Sequence, residues 1–120
     1  SFPSFWNYQI MDMPTAVTAL AALAHDTRLA AFRHLVTVGP EGVAVGELRD
    51  HLGLPPATLS AHLNVLRRAG LVSDRREGRV IRVSADFAGM DALLAYLTEN
   101  CCAGQADCAP AGRAGPRCRA

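Results

Sequence analysis

The hydrophobic period changes once within residues 59–83, at Gly70, and that single switch limits what the chain can fold into. Before it, Leu59, Leu63 and Leu66 recur at helical spacing on one face. After it, Leu71-Val72 and Arg79-Val80-Ile81-Arg82-Val83 read as two strands joined by Asp74-Arg75-Arg76-Glu77-Gly78. Gly78 supplies the positive φ that a hairpin bend needs. Upstream, Leu54-Pro55-Pro56 makes a tight entry, with proline in the first helical turn where a missing N–H costs nothing. A short helix over residues 45–51 precedes it, with Leu48 and Leu52 inward and Gly53 as a left-handed stop. Two helices joined by a turn of three or four residues form a helix-turn-helix unit.

The flanking segments complete the frame. Pro14 and Thr15 open a helix to Ala24, with Val17, Leu20 and Ala24 on one face. Asp26 or Thr27 caps a second, which stacks Leu29, Phe32 and Val36 before Gly39-Pro40 and Gly42 break the chain. A last helix covers residues 86–100, with Phe87, Met90, Leu94 and Leu97 as its stripe. The expected fold is mostly α with a β-hairpin wing: a winged helix-turn-helix over residues 14–100. Residues 1–13, which hold Phe2, Phe5, Trp6 and Tyr8 without periodicity, read as an N-terminal arm or a vector-derived segment. Residues 101–120 read as a flexible, cysteine-containing tail, too poor in large apolar side chains to order themselves.

Charge points to a partner. All twelve cations among the 120 residues are arginines. Six of them fall in residues 60–82 against two acids, giving that window +4, while the rest of the chain carries −3. A near-neutral total thus conceals a basic patch, the footprint of a nucleic-acid contact. The second helix of such a unit enters the major groove. Thr58, Ser60, His62, Asn64, Arg67 and Arg68 are the expected readers of bases and phosphates there, and Ala57 or Ala61 can touch a thymine methyl. Arg75, Arg76 and Arg79 place the wing on the flanking backbone.

No apolar run approaches the ~18 residues of a membrane span, and the first residues lack the basic start of a signal peptide. A cytoplasmic protein is expected. Gly-rich phosphate loops, a nucleophile elbow and HExxH are missing, so an enzyme is not expected.

Ala-Leu-Ala-His-Asp-Thr-Arg-Leu-Ala-Ala-Phe (22–32) and Leu-Ser-Ala-His-Leu-Asn-Val-Leu-Arg-Arg-Ala-Gly-Leu-Val (59–72), followed by Arg-Arg-Glu-Gly-Arg (75–79), resemble the ArsR/SmtB family of metal- and metalloid-responsive repressors. The resemblance covers residues 15–100. It implies a homodimer, paired through the first and last helices, that holds double-stranded operator DNA and releases it on binding an inducer. The apolar stripes at residues 17–23 and 87–97 suit that pairing. Pro55-Pro56 departs from the Ser-Gln the family often carries at the start of the recognition helix.

Four cysteines crowd into the last twenty residues: Cys101, Cys102, Cys108 and Cys118. The helix before the recognition helix holds no cysteine pair, and the last helix holds no histidine, so two familiar ligand sites of the family are missing. As(III) and Sb(III) are soft and three-coordinate, which suits three thiolates. Cys101, Cys102 and Cys108 resemble the C-terminal three-cysteine site of arsenic-responsive members, and that resemblance makes them the metal ligands, with Cys118 a bystander. Other readings stay open: a thiol redox switch, a zinc or cadmium site, inert tail residues, or a tail that recruits a protein. The histidines His25, His34, His51 and His62 show no ligand spacing with one another.

Overall fold

The computed structural model describes residues 11–104. Five helices run α1 (Met13–Leu23), α2 (Asp26–Val38), α3 (Val45–Leu52), α4 (Pro56–Arg68) and α5 (Phe87–Thr98). Strands β1 (Val43–Ala44), β2 (Val72–Glu77) and β3 (Val80–Ala85) form an antiparallel sheet in the order β1-β3-β2. The element order is that of a winged helix-turn-helix. No described helix is long and apolar enough to cross a membrane.

The core collects one face from each helix. Leu59, Leu63 and Leu66 of α4 are fully buried, as their spacing requires, and meet Leu35 of α2, Leu48 of α3, and Leu71 and Val83 around the sheet. Each such leucine contributes about 1.5–3 kcal/mol by leaving water. Gly53 adopts the left-handed conformation (φ 67°, ψ 36°) that ends α3, and its amide returns to the Arg49 carbonyl. Gly53-Leu54-Pro55 is then the whole turn of the helix-turn-helix.

Several local expectations are corrected. In α1 the core face is Ala16, Ala19 and Ala22, whose small side chains let α1 lie close against α2, α4 and α5, while Val17 and Leu20 of the expected apolar face stay exposed. The helix also starts earlier than its proline suggests, because the Asp12 carboxylate accepts the Thr15 amide at 2.9 Å and Met11 packs against the core. On α2, Leu29 is exposed, and Ala31 and Leu35 join Phe32 inside. Its cap is neither Asp26 nor Thr27 but His25, whose Nδ1 accepts the Thr27 amide at 3.1 Å. On α5 the buried residues are Gly89, Ala92 and Leu93, with Leu97 exposed. The segment expected to join the wing strands is itself strand as far as Glu77, so the turn is only Gly78-Arg79. Strand β1, two residues pairing Val43 with Val83 and Ala44 with Arg82, is too short to leave a period-two signal.

Two glycines are fixed by close approach. A Cβ on Gly42, which has φ +71°, would collide with the Val83 carbonyl where β1 leaves for β3. A Cβ on Gly89 would collide with the Gly70 carbonyl, where α5 crosses the end of α4.

Candidate nucleic-acid interface

Helix α4 turns one face outward. Ala57, Thr58, Ser60, Ala61, Asn64 and Arg68 are exposed along it, opposite the leucine stripe. Its first turn begins at Pro56, and no side chain caps it, so the amides that follow face an N-terminus open to an anion. Thr58, Ser60, Asn64 and Arg68 therefore lie where the sequence placed them.

Two residues of the expected set do other work. Arg67 is a brace between α4 and the wing: its Nε lies 2.8 Å from Asp74 Oδ2, Nη2 donates to Asp74 Oδ1 at 3.2 Å and Nη1 donates to Asn64 Oδ1 at 2.8 Å. His62 is half-buried and turned toward the start of α2, with Nδ1 at 3.4 Å from Arg28 Nη1 and its ring 4.7 Å from that of His25. Burial first, then the nearby His25 and Arg28, hold its imidazole below the ordinary value for histidine. Helical periodicity gave His62 an outward place. The pull of two groups 34 and 37 residues upstream is invisible to it.

The wing divides its arginines by face. Arg75 sits directly across from Arg82, a like-charged pair that would repel if left alone. Both instead converge on the loop before β1: Arg75 Nη2 and Arg82 Nε donate to the Glu41 carbonyl, and Arg82 Nη2 donates to that of Gly42 at 2.8 Å. Glu77 completes the set, 3.0 Å from Arg75 Nη2. Arg75 is thus tied to the Glu41 carbonyl and Glu77 while its side chain stays 55% exposed. Arg76 and Arg79 are exposed near and at the turn, with no ion-pair partner among the described residues. The arrangement gives a polar helix face, joined through the Arg67–Asp74 pair to a wing that carries two cations without a described ion-pair partner.

The cysteines lie at the other end of the chain. Past α5, Asn100, Cys102 and Ala103 all take positive φ, and a short turn covers Cys101–Gly104. This unwinding brings Cys101 Sγ within 3.7 Å of Cys102 Sγ, which a continuing helix would have splayed apart. Cys101 is a half-buried free thiol and Cys102 is disulfide-bonded. Cys108 and Cys118 lie outside the described residues. Among the described residues no trio of His, Cys, Asp or Glu is placed to hold a metal ion. The histidines, scattered in sequence, are paired in space: besides His25 with His62, the rings of His34 and His51 stack at 3.8 Å.

A helix-turn-helix domain family matches residues 23–75. The transcriptional activator HlyU of Vibrio cholerae is 33% identical over 98 residues, covering 80% of this chain and 88% of HlyU. The biofilm growth-associated repressor of Agrobacterium fabrum is 40% identical over 82 residues, 65% of this chain and 68% of that one. Among solved structures, an ArsR-like transcriptional regulator from Rhodococcus sp. RHA1 superposes with a TM-score of 0.62 at 28% identity, over 72% of this chain and 78% of that one. The chain belongs to the ArsR family of winged helix-turn-helix regulators. A further family relative, Mb0332 of Mycobacterium bovis, is described as a homodimeric DNA-binding domain; it has a TM-score of 0.58 at 26% identity, over 78% of this chain and 86% of that one. The regulator's relatives are DNA-binding transcriptional regulators rather than enzymes.

Proposed function

We propose that this ArsR-family regulator is a repressor that binds double-stranded operator DNA as a homodimer and is released by thiol chemistry at the end of α5. One observation carries the DNA reading: the exposed face of α4, from Thr58 to Arg68, belongs to a helix that the Arg67–Asp74 pair joins to the wing, and the wing carries Arg76 and Arg79, whose charges no described acid cancels. Thr58, Ser60 and Asn64 would meet base edges or phosphates, and Arg68, Arg76 and Arg79 the backbone.

The dimer reading rests on apolar surface left uncovered. Met13, Val17 and Leu20 recur at helical spacing on α1 and are 63%, 54% and 42% exposed, and Leu97 of α5 is 53% exposed. Tyr96 of α5 donates its hydroxyl hydrogen to Met13 Sδ at 3.7 Å, so the two helices present one surface. An apolar stripe of this kind on paired helices fits a second copy of the chain.

The inducer proposed is arsenite or antimonite. With all three residues reduced, Cys101, Cys102 and Cys108 would each give up a proton and displace hydroxide from As(III) as water, leaving an arsenic trithiolate. Drawing the tail together there pulls on α5, half of the proposed dimer surface, and so shifts the spacing of the two recognition helices. A coupling of about 1–3 kcal/mol gives 5–150-fold release. The 3.7 Å approach of Cys101 Sγ and Cys102 Sγ favours a second reading, a redox repressor in which peroxide takes two thiols to a disulfide and is itself reduced to water.

The test is operator binding by fluorescence anisotropy in reducing buffer, using DNA from upstream of the protein's own gene. Release at stoichiometric arsenite, abolished when Cys101, Cys102 and Cys108 are all serine, supports the metalloid reading. Binding that ignores arsenite but yields to peroxide replaces it with the redox reading. A protein that binds no DNA at all defeats both.

A further inference from the structure

An open groove of about 440 Å³ runs between α1 and the C-terminal half of α4, lined by Val17, Thr18, Ala21, Ala22, Arg28, Val65 and Arg68. Its walls are apolar apart from Thr18 and the two guanidinium-bearing side chains. Arg28 is held in place from both sides: Nε donates to the Ala22 carbonyl at 2.6 Å, and Nη1 lies 3.4 Å from His62 Nδ1. Neither Arg28 nor Arg68 has a carboxylate within ion-pair distance among the described residues. A charge so placed, on a preset arginine beside apolar surface, is an incomplete pair. His62, beside Arg28 and His25, is held toward its neutral form first by burial and only then by those two neighbours.

We infer that this groove is a binding site for a small organic anion, a carboxylate carried on an apolar body. Arg28 and Arg68 take the carboxylate, and Val17, Ala21, Ala22 and Val65 enclose the body. The occupant is an organic acid rather than a bare anion because apolar atoms make up most of the lining, and a bare phosphate would leave them wet. A ligand there touches α1 and α4 at once, so it bridges the surface proposed for dimerisation and the helix proposed to read DNA.

The inference stands apart from operator binding and is tested with no DNA present. Amide spectra of the ¹⁵N-labelled full chain are recorded during titration with benzoate, with its neutral isostere benzamide and with inorganic phosphate. Benzoate is expected to give saturable shifts at Ala21, Ala22, Arg28 and Val65, with benzamide and phosphate at least about tenfold weaker. Arg68→Gln is expected to weaken benzoate about tenfold, the loss of one charge-assisted contact. Ala21→Phe, which fills the groove and leaves both arginines in place, is expected to abolish binding; its exposed position makes it tolerant of the added bulk. The inference is overturned by the absence of saturable shifts up to about 50 mM benzoate, by binding that neither variant alters, or by phosphate binding as tightly as benzoate. It is overturned equally if benzoate binds only to a monomeric Leu20→Asp variant, which would mean that a second copy fills the groove.

Discussion

Arg67 near the end of α4 and Asp74 on β2 are joined at 2.8 Å, Nε to Oδ2, which fixes the recognition helix to the wing across the turn at Gly70. Both side chains keep about a third of their surface in water, so the pair is a modest one energetically. Its use is geometric: it sets the angle at which the two candidate DNA-contacting elements are presented. In a double-mutant cycle of Arg67→Met and Asp74→Ala, thermal unfolding should give a coupling of about 0.5–1 kcal/mol. Strict additivity would show that the brace is not made in solution.

Arg76 and Arg79 are expected to act on DNA affinity without reading sequence. Changing either to alanine should weaken binding to specific and random duplexes alike and lower the slope of log affinity against log salt by about 1. Asn64→Ala should instead alter the preference among operator variants, by about 1–3 kcal/mol at one base position. Because Arg75 is tied to the Glu41 carbonyl, Arg75→Ala should cost stability more than it changes the salt slope. A full unit of slope lost in that variant would contradict this assignment.

Gly89 allows two opposed expectations. On helix propensity alone, Gly89→Ala in α5 should stabilise the protein by about 1 kcal/mol. The Gly70 carbonyl, however, occupies the space an added methyl would enter. The expected outcome is a loss of about 1–3 kcal/mol in denaturant unfolding. A gain would mean that α5 does not sit as close to the end of α4 as described.

The dimer surface is tested by charge. Val17→Asp or Leu20→Asp places a carboxylate on an exposed apolar stripe, which should leave the monomer fold intact and shift sedimentation from dimer to monomer. A protein that stays dimeric after both changes pairs through another face.

The His62 imidazole titrates below its ordinary value of 6.5, chiefly because it is partly buried. The unfolded chain then binds more protons than the folded one below pH 6.5, so stability falls as pH drops through 6.5 toward the depressed value, and is unaffected by this group above 6.5. In His62→Asn, whose Oδ1 can accept from Arg28 without titrating, that acid-side loss should disappear. Urea unfolding at pH 7.5 and 5.5 measures it. Equal losses in both proteins would remove His62 as the cause.

The repeat of Leu59, Leu63 and Leu66, the turn at Gly53 and the bend at Gly78 are local facts, set by side-chain period and backbone freedom within a few residues. They were legible in the sequence, and with them the order of elements. So was the outward set Thr58, Ser60, Asn64 and Arg68, because a helix with one buried face must expose the other. Which face of a uniformly apolar helix is buried is not local: α1 buries Ala16, Ala19 and Ala22 because α2, α4 and α5 approach that side closely, leaving Val17 and Leu20 outside. The same holds for charges. Whether an arginine is offered to a partner or spent inside the molecule depends on what lies across from it. Asp74 claims Arg67, the Glu41 carbonyl claims Arg75 and Arg82, and Arg28 reaches His62 over 34 residues of chain. Composition supplied the basic patch; only the packed structure decided which of its cations remain uncompensated.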